Sequence, residues 1–118
     1  MKGRFKSVHS VESRWREANN ILLKYSDRVP VICERSTSAP KDCPEIDKNK
    51  YIVPRDLTIA QFHFYIRKKM NIPAEKGLFL FINDIIPHSS ELIGDTYEFH
   101  KDPDCFLYVS YSYENVFG

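Results

Sequence analysis

The sequence predicts an α+β fold: a four-stranded mixed sheet crossed by one helix and preceded by two N-terminal helices. Three observations carry this. Two strand-like stretches, 28–35 and 50–53, stand before a strongly capped helix, and two more, 78–82 and 105–113, stand after it. Ahead of them all, Val11, Trp15, Ala18, Leu22 and Tyr25 recur at helical spacing. A chain of 118 residues, 42% apolar and 28% charged, also suffices for one core and not two. One compact domain is therefore expected, with a helical extension over 1–26 and the sheet-bearing part over 27–118.

Taken in order, residues 1–9 are basic (Lys2, Arg4, Lys6) around a single aromatic, Phe5, and read as a short helix or an arm. Ser10 can cap the next helix, whose first turn holds Glu12 where the helix dipole favours it. Ile21 widens the stripe, and Ser26-Asp27 ends it. In 28–35 the residues Val29, Val31 and Cys33 alternate with Pro30, Ile32 and Glu34. Pro30 cannot donate to a ladder, so a free edge is expected beside it. Residues 36–49, with two prolines and many small or charged residues, read as a flexible loop. Residues 50–53 form a second strand closed by Pro54.

Thr58-Ile-Ala-Gln61 is a capping box, in which the Thr hydroxyl and the Gln side chain each satisfy an amide left open at a helix start. Ile59, Phe62, Ile66 and Met70 make that helix's buried stripe. Arg67-Lys68-Lys69 complement its negative end, and Pro73 marks the stop. Leu78 to Ile82 reads as a strand buried on both faces, with a turn at Asn83-Asp84. A short helix over 90–99 turns Leu92, Ile93 and Tyr97 inward, and 105–113 is the last strand. Strand, strand, helix, strand, strand is the β-grasp order, with the first and last strands central and parallel. That is the ubiquitin-like architecture, which alone is a weak guide to function.

Composition narrows the classes. No apolar run of about 18 residues and no signal-peptide pattern is present, so no membrane span is expected. Cys33, Cys43 and Cys105 cannot all pair, and their spacing matches no zinc or redox motif, which argues for a reducing compartment. No histidine stands in an arrangement that would activate a thiol, and His9, His63, His88 and His100 are too scattered for a metal site. Neither a catalytic cysteine, a metal nor a cofactor is expected. The net charge of +1 hides an asymmetry: residues 1–70 carry +7 and residues 71–118 carry −6. A basic half with Phe5, Trp15 and Tyr25 offers charge and stacking surface to nucleic acid. Those aromatics sit at core spacing without a nucleic-acid motif, so nucleic acid is the lesser reading.

The last ten residues organise the rest. Val109, Tyr111 and Tyr113 alternate as a strand, and the chain then runs on to Gly118. Glycine contributes nothing to a core and loses the most backbone entropy on ordering. By itself such an end reads first as a frayed terminus; the alternative is that its unhindered carboxylate threads a narrow channel into another protein's active site, which the rest of the sequence has to decide.

Several stretches resemble the ubiquitin-like autophagy modifiers, the GABARAP and microtubule-associated-protein light chain 3 family. They are Lys24-Tyr-x-Asp-Arg-Val-Pro-Val-Ile32, Lys50-Tyr-Ile-Val-Pro54, Asp56-Leu-Thr58, Gln61-Phe62, Ile66-Arg-Lys68, Leu78-Phe-x-Phe-Ile-Asn83 and the tail from Phe106 to Gly118. The match covers nearly the whole chain in order. The resemblance implies a modifier, not an enzyme, that works in the cytoplasm and on the autophagosomal membrane. Its terminal glycine, here Gly118, is passed through activating and conjugating enzymes to phosphatidylethanolamine. Phe117 matches the aromatic that locates that glycine, and Arg67 matches a position used to engage the processing cysteine protease.

The resemblance also implies docking of cargo receptors and adaptors through short aromatic-x-x-aliphatic segments that add a strand beside residues 51–53. By position, Glu17, Ile21, Pro30, Ile32, Lys50, Ile52 and Phe106 build the aromatic pocket. Tyr51, Val53, Pro54, Leu57, Phe62 and Tyr65 build the aliphatic one, and Arg28, Lys48, Lys50 and Arg67 meet acidic flanks. Periodicity alone places Ile21, Ile32, Ile52 and Phe106 equally well in a core. Three departures bear on specificity: a loop over 36–47 about two residues longer than in GABARAP, Tyr65 where leucine is usual, and Trp15 where a basic residue is usual. Tyr65 is expected to make its pocket shallower or more polar. A ubiquitin-like peptide-binding scaffold that is never conjugated is the alternative.

Overall fold

The computed structural model describes residues 3–116. Its elements are α1 (Arg4–Val8), α2 (Val11–Lys24), β1 (Arg28–Arg35), β2 (Lys50–Pro54), α3 (Ile59–Lys69), β3 (Phe79–Phe81), α4 (Ile93–His100) and β4 (Leu107–Ser112). The four strands lie in the order β2-β1-β4-β3. β1 and β4 are the central, parallel pair, in register from Val31 opposite Leu107 to Arg35 opposite Tyr111. β2 and β3 flank them antiparallel. This is the expected ubiquitin-like sheet.

Strand alternation divides the interior into two layers. On one face Val29, Val31 and Cys33 of β1, Tyr51 and Val53 of β2, and Leu107, Val109 and Tyr111 of β4 pack with Ile59, Phe62 and Ile66 of α3 and Ile93 and Tyr97 of α4. On the other face Ile32 and Phe106 pack with Phe5 of α1 and Ala18 and Ile21 of α2. Each fully buried aliphatic or aromatic side chain contributes about 1.5–3 kcal/mol by leaving water.

The helix starts obey their caps. Ser10 accepts from the Ser13 amide at 3.1 Å. In α3 the Gln61 amide donates to the Thr58 hydroxyl at 3.1 Å, and the Thr58 amide donates back to Gln61 Oε1 at 2.9 Å. The stop of α3 comes earlier than Pro73. Asn71 takes a left-handed φ of 58°, and the Ile72 amide reaches back to the Arg67 carbonyl. Asn83 and Asp84 are both left-handed, which suits a two-residue hairpin of the I′ type, and Ile82 and Ile85 exchange hydrogen bonds across it.

Several expectations need correction. Val11 and Trp15 are exposed, and the buried line of α2 is Arg14, Ala18 and Ile21. The helix is turned so that Arg14 reaches Asp104, a fully buried carboxylate, at 2.5 Å. Asp104 also accepts from the Tyr108 hydroxyl at 2.5 Å and the Phe106 amide at 2.8 Å, so the buried charge is fully bonded. The last strand begins at Leu107 and not at Cys105, whose φ of 73° belongs to a turn closed by its amide on the Asp102 carbonyl. Leu92 is the exposed N-cap of α4, and Thr96 takes the inward position beside Ile93 and Tyr97. Residues 36–49 form no regular element, yet Cys43 is buried and the Tyr111 hydroxyl donates to the Pro44 carbonyl at 2.7 Å, tying the loop to the core.

Pro30 shows how a proline fits a central strand. The Cys33 amide donates to the Asn49 carbonyl, so by alternation the odd-numbered amides of β1 face β2 and Pro30's nitrogen faces the β4 side. There the ladder starts only at Val31. The missing donor faces the stretch of β1 that has no partner on that side.

α1 is seated by side chains of other elements. Glu34 of β1 accepts from the Phe5 amide at 2.8 Å, and Lys6 pairs with Asp102. A Cβ on Gly3 would come within 2.4 Å of the Glu34 carboxylate. No helix among the described residues is long and apolar enough to cross a membrane.

Candidate functional site

The sheet order leaves β2 at an edge. In its antiparallel pairing with β1 the odd-numbered residues are hydrogen-bonded, so Tyr51 and Val53 spend their backbone groups on β1. The amide and carbonyl of Ile52 therefore point away from the sheet. Pro54 closes the strand, and its carbonyl accepts from the Leu57 amide. A free edge of this kind accepts an extended segment as a further strand.

A groove lies on each side of that edge. One, of about 420 Å³, is lined by Tyr51, Val53, Pro54, Leu57, Phe62 and Tyr65, with Lys48, Lys50 and Ile52 at its border. All six residues expected to form an aliphatic pocket are here together. β2 supplies Tyr51 and Val53, and α3, fixed by its capping box, supplies Phe62 and Tyr65. The rings of Tyr51 and Phe62 meet edge to face at 6.2 Å, and those of Tyr51 and Tyr65 at 6.0 Å. The Tyr51 hydroxyl donates to the Lys48 carbonyl at 2.6 Å, which orients its ring. Burial, chiefly, pushes the Tyr51 phenol up, so it remains a neutral donor. Tyr65 is 48% exposed and stands at the rim as a wall.

The second groove, of about 460 Å³, runs along α2 and is lined by Glu17, Ile21 and Ile52 together with Arg16, Asn20 and Lys24. Lys50 pairs with Glu17 across the gap between β2 and α2, at the boundary of the two grooves. Pro30, Ile32 and Phe106 were expected to line this pocket and do not. They are the packed layer under it, Ile32 and Phe106 at 0% exposure, because β1 is central and α1 and α2 cover that face. Sequence reasoning missed Arg16, Asn20 and Lys24. Their signal was the 3–4 spacing that places them on one flank of Ile21.

The cations expected at acidic flanks separate. Lys48 and Lys50 stand at the start of β2, while Arg28 lies opposite Pro54 at its end. Arg67 lines neither groove, and its guanidinium donates to the Pro73 carbonyl at 2.9 Å. Phe117 and Gly118 lie outside the described residues. A third cleft, of about 480 Å³ between α1 and the end of α4, shares no residue with the other two.

The cysteines are packed groups. Cys33 is fully buried, and burial drives its thiol well above the ordinary range. Burial raises Cys43 as well. Neither forms a thiolate readily, and a thiol nucleophile requires one.

A β-grasp sheet with two helices on its second face and a grooved free edge defines a ubiquitin-like protein. Comparison with known proteins makes this specific. Residues 13–118 match the family model described as autophagy protein Atg8, ubiquitin-like. The whole chain is 52% identical to autophagy-related protein 8 of Candida albicans, over 86% of that protein, and 50% identical to that of Mycosarcoma maydis, over 98%. Among solved structures, Trypanosoma brucei ATG8 superposes with a TM-score of 0.88 at 38% identity, covering 95% of each chain. Plasmodium falciparum Atg8, solved in complex with a Plasmodium falciparum Atg3 peptide, gives 0.86 at 34% identity, covering 96% of this chain and 98% of that one. The chain belongs to the Atg8 family of autophagy-related ubiquitin-like proteins.

Proposed function

We propose that this protein is a non-enzymatic modifier of autophagy with two separable activities. It is conjugated through Gly118 to phosphatidylethanolamine, which moves it from the cytoplasm to the autophagosomal membrane. At the free edge of β2 it captures aromatic-x-x-aliphatic segments of receptors and adaptors. The observation that carries the docking half is the outward Ile52 backbone between two grooves of comparable volume. Main-chain bonds to Ile52 set the register of an added strand, and its alternate side chains enter the grooves. The structure of the Plasmodium relative with an Atg3 peptide supports extending this to a segment of the conjugating machinery. The conjugation half rests on family membership and on Gly118 falling within the matched residues 13–118. Arg67 and Phe117 are assigned to recognition of the tail by the conjugating enzymes and a processing cysteine protease. Pro30, Ile32 and Phe106 support the aromatic groove from beneath.

Reconstitution with activating enzyme, conjugating enzyme, ATP and phosphatidylethanolamine liposomes, read by intact mass, tests the first activity. A mass gain of one lipid that disappears when Gly118 is deleted is expected. No adduct, with enzymes active on a control modifier, would leave a peptide-binding scaffold that is never conjugated. For the second activity, Ile52→Ala combined with Lys50→Ala is expected to weaken an acidic aromatic-x-x-aliphatic peptide by about tenfold or more in calorimetry. Lipidation at Gly118 should slow in that variant, because the same edge would dock the conjugating-enzyme segment, yet still run to the one-lipid adduct, since the edge carries none of the chemistry. Loss of both activities from either change would sink the two-site assignment.

A further inference from the structure

The groove beside α3 is walled by three aromatic rings, and this determines which side chain it prefers. Tyr51 presents one edge-to-face contact to Phe62 and another to Tyr65, with interplanar angles of 83° and 86°. Phe62 is buried at the floor, Tyr51 is held by its hydroxyl bond to Lys48, and Tyr65 rises half-exposed at the rim. Two rings each set at a right angle to Tyr51 offer an entering side chain both electron-rich faces and electropositive edges. A branched aliphatic group meets them by dispersion alone. A thioether sulfur gains a further contact at a ring edge, and a benzyl ring gains a stacked or edge-on partner. Lys48, with its ammonium 5.4 Å from the Tyr51 ring centre, makes the same rim unfavourable for a cationic anchor.

We propose that Tyr65 is the specificity-determining residue of this groove, and that it turns the second anchor of the bound segment from leucine or valine toward methionine or phenylalanine. The proposal rests on the reading of β2 as a peptide-docking edge. Tyr65 acts through its ring and not its hydroxyl, so Tyr65→Phe keeps the preference and Tyr65→Leu removes it. Leucine is the better helix former and Tyr65 lies at the surface, so Tyr65→Leu keeps the fold.

The test is a titration of four peptides identical except at the second anchor (Val, Leu, Met or Phe), each with the same tryptophan first anchor and acidic flank. Methionine and leucine are nearly equal in volume, so their ratio isolates the sulfur–ring contact. In the wild-type protein the methionine and phenylalanine peptides should bind about threefold tighter than the leucine peptide, as expected for one added ring contact. That ratio should persist in Tyr65→Phe and fall to about one in Tyr65→Leu, with thermal melts confirming that both variants are folded. Leucine binding as tightly as methionine in the wild type, or a ratio that survives Tyr65→Leu, overturns the proposal while leaving the docking edge intact. Failure of all four peptides, with no response to Ile52→Ala, removes the docking reading and this inference together. The two failures differ because one reorders the panel and the other silences it.

Discussion

Asp104 joins two elements through one carboxylate. It is fully buried and receives Arg14, the Tyr108 hydroxyl and the Phe106 amide, binding α2 to the start of β4. Asp104→Ala would strand the Arg14 guanidinium, whose side chain is only 10% exposed. A loss of about 3–5 kcal/mol in urea unfolding is expected. Asp104→Asn retains an acceptor for the Phe106 amide and should lose less. Gly94 is a second sensitive position. A Cβ there would lie 2.8 Å from the Arg55 Cβ and 3.1 Å from its carbonyl, which already accepts the Gly94 amide. Gly94→Ala should cost about 1–3 kcal/mol by the same measurement. Neither residue is conspicuous in the sequence, since a lone aspartate or glycine has no periodicity.

At the scale of the element, α1 is too short to be stable alone and depends on its seat. Two carboxylates of opposite behaviour hold it. Burial favours the neutral form of Glu34 and raises it above its ordinary value, an effect Glu45 reinforces and the Phe5 amide and Arg4 oppose. Its contribution is complete below about pH 4.3 and is lost as pH rises through the raised native value. For Asp102 burial also favours the neutral form, but hydrogen bonds from Lys6 and the Asp104 amide prevail and lower it. Its contribution is present above about pH 3.9 and is lost as pH falls through the lowered native value. Asp42 and Glu98, lowered by hydrogen bonds from Lys76 and Arg55 respectively against opposing burial, act with Asp102. The melting temperature should thus rise as pH falls toward about 4.3 and fall on further acidification below about 3.9. Glu34→Gln should flatten the first limb and leave the second.

Across the whole molecule, the two cores occupy opposite faces of one sheet, and the free edge of β2 lies between the helix pairs that cover them. An acidic peptide approaching that edge meets Lys48 and Lys50 at its start and Arg28 at its end. These groups are at the rim and screened by salt, so they govern encounter more than residence. The association rate should fall steadily with ionic strength in stopped-flow measurements, while the dissociation rate changes little. Lys48→Ala should reduce that salt slope, and an apolar change in the grooves should instead raise the dissociation rate.

The sequence by itself determined the element order, the parallel central strands, both strong caps and the family, because each is written in local chemistry or in dense matching stretches. The resemblance also named Tyr51, Val53, Pro54, Leu57, Phe62 and Tyr65 together, and they line one groove, although alternation and helical spacing by themselves link only Tyr51 with Val53 and Phe62 with Tyr65. Tertiary structure alone decided the rotation of α2, where an ion pair with a residue 90 positions away outweighs the apolar stripe through Trp15. It also decided that Ile32 and Phe106 lie beneath the second groove and not on its wall, since periodicity reports which face a residue takes and never what covers that face. The left-handed turns at Asn71 and Cys105 trimmed the predicted ends for the same reason. A backbone reversal is paid for by contacts made after the chain has folded, and those contacts have no local signature.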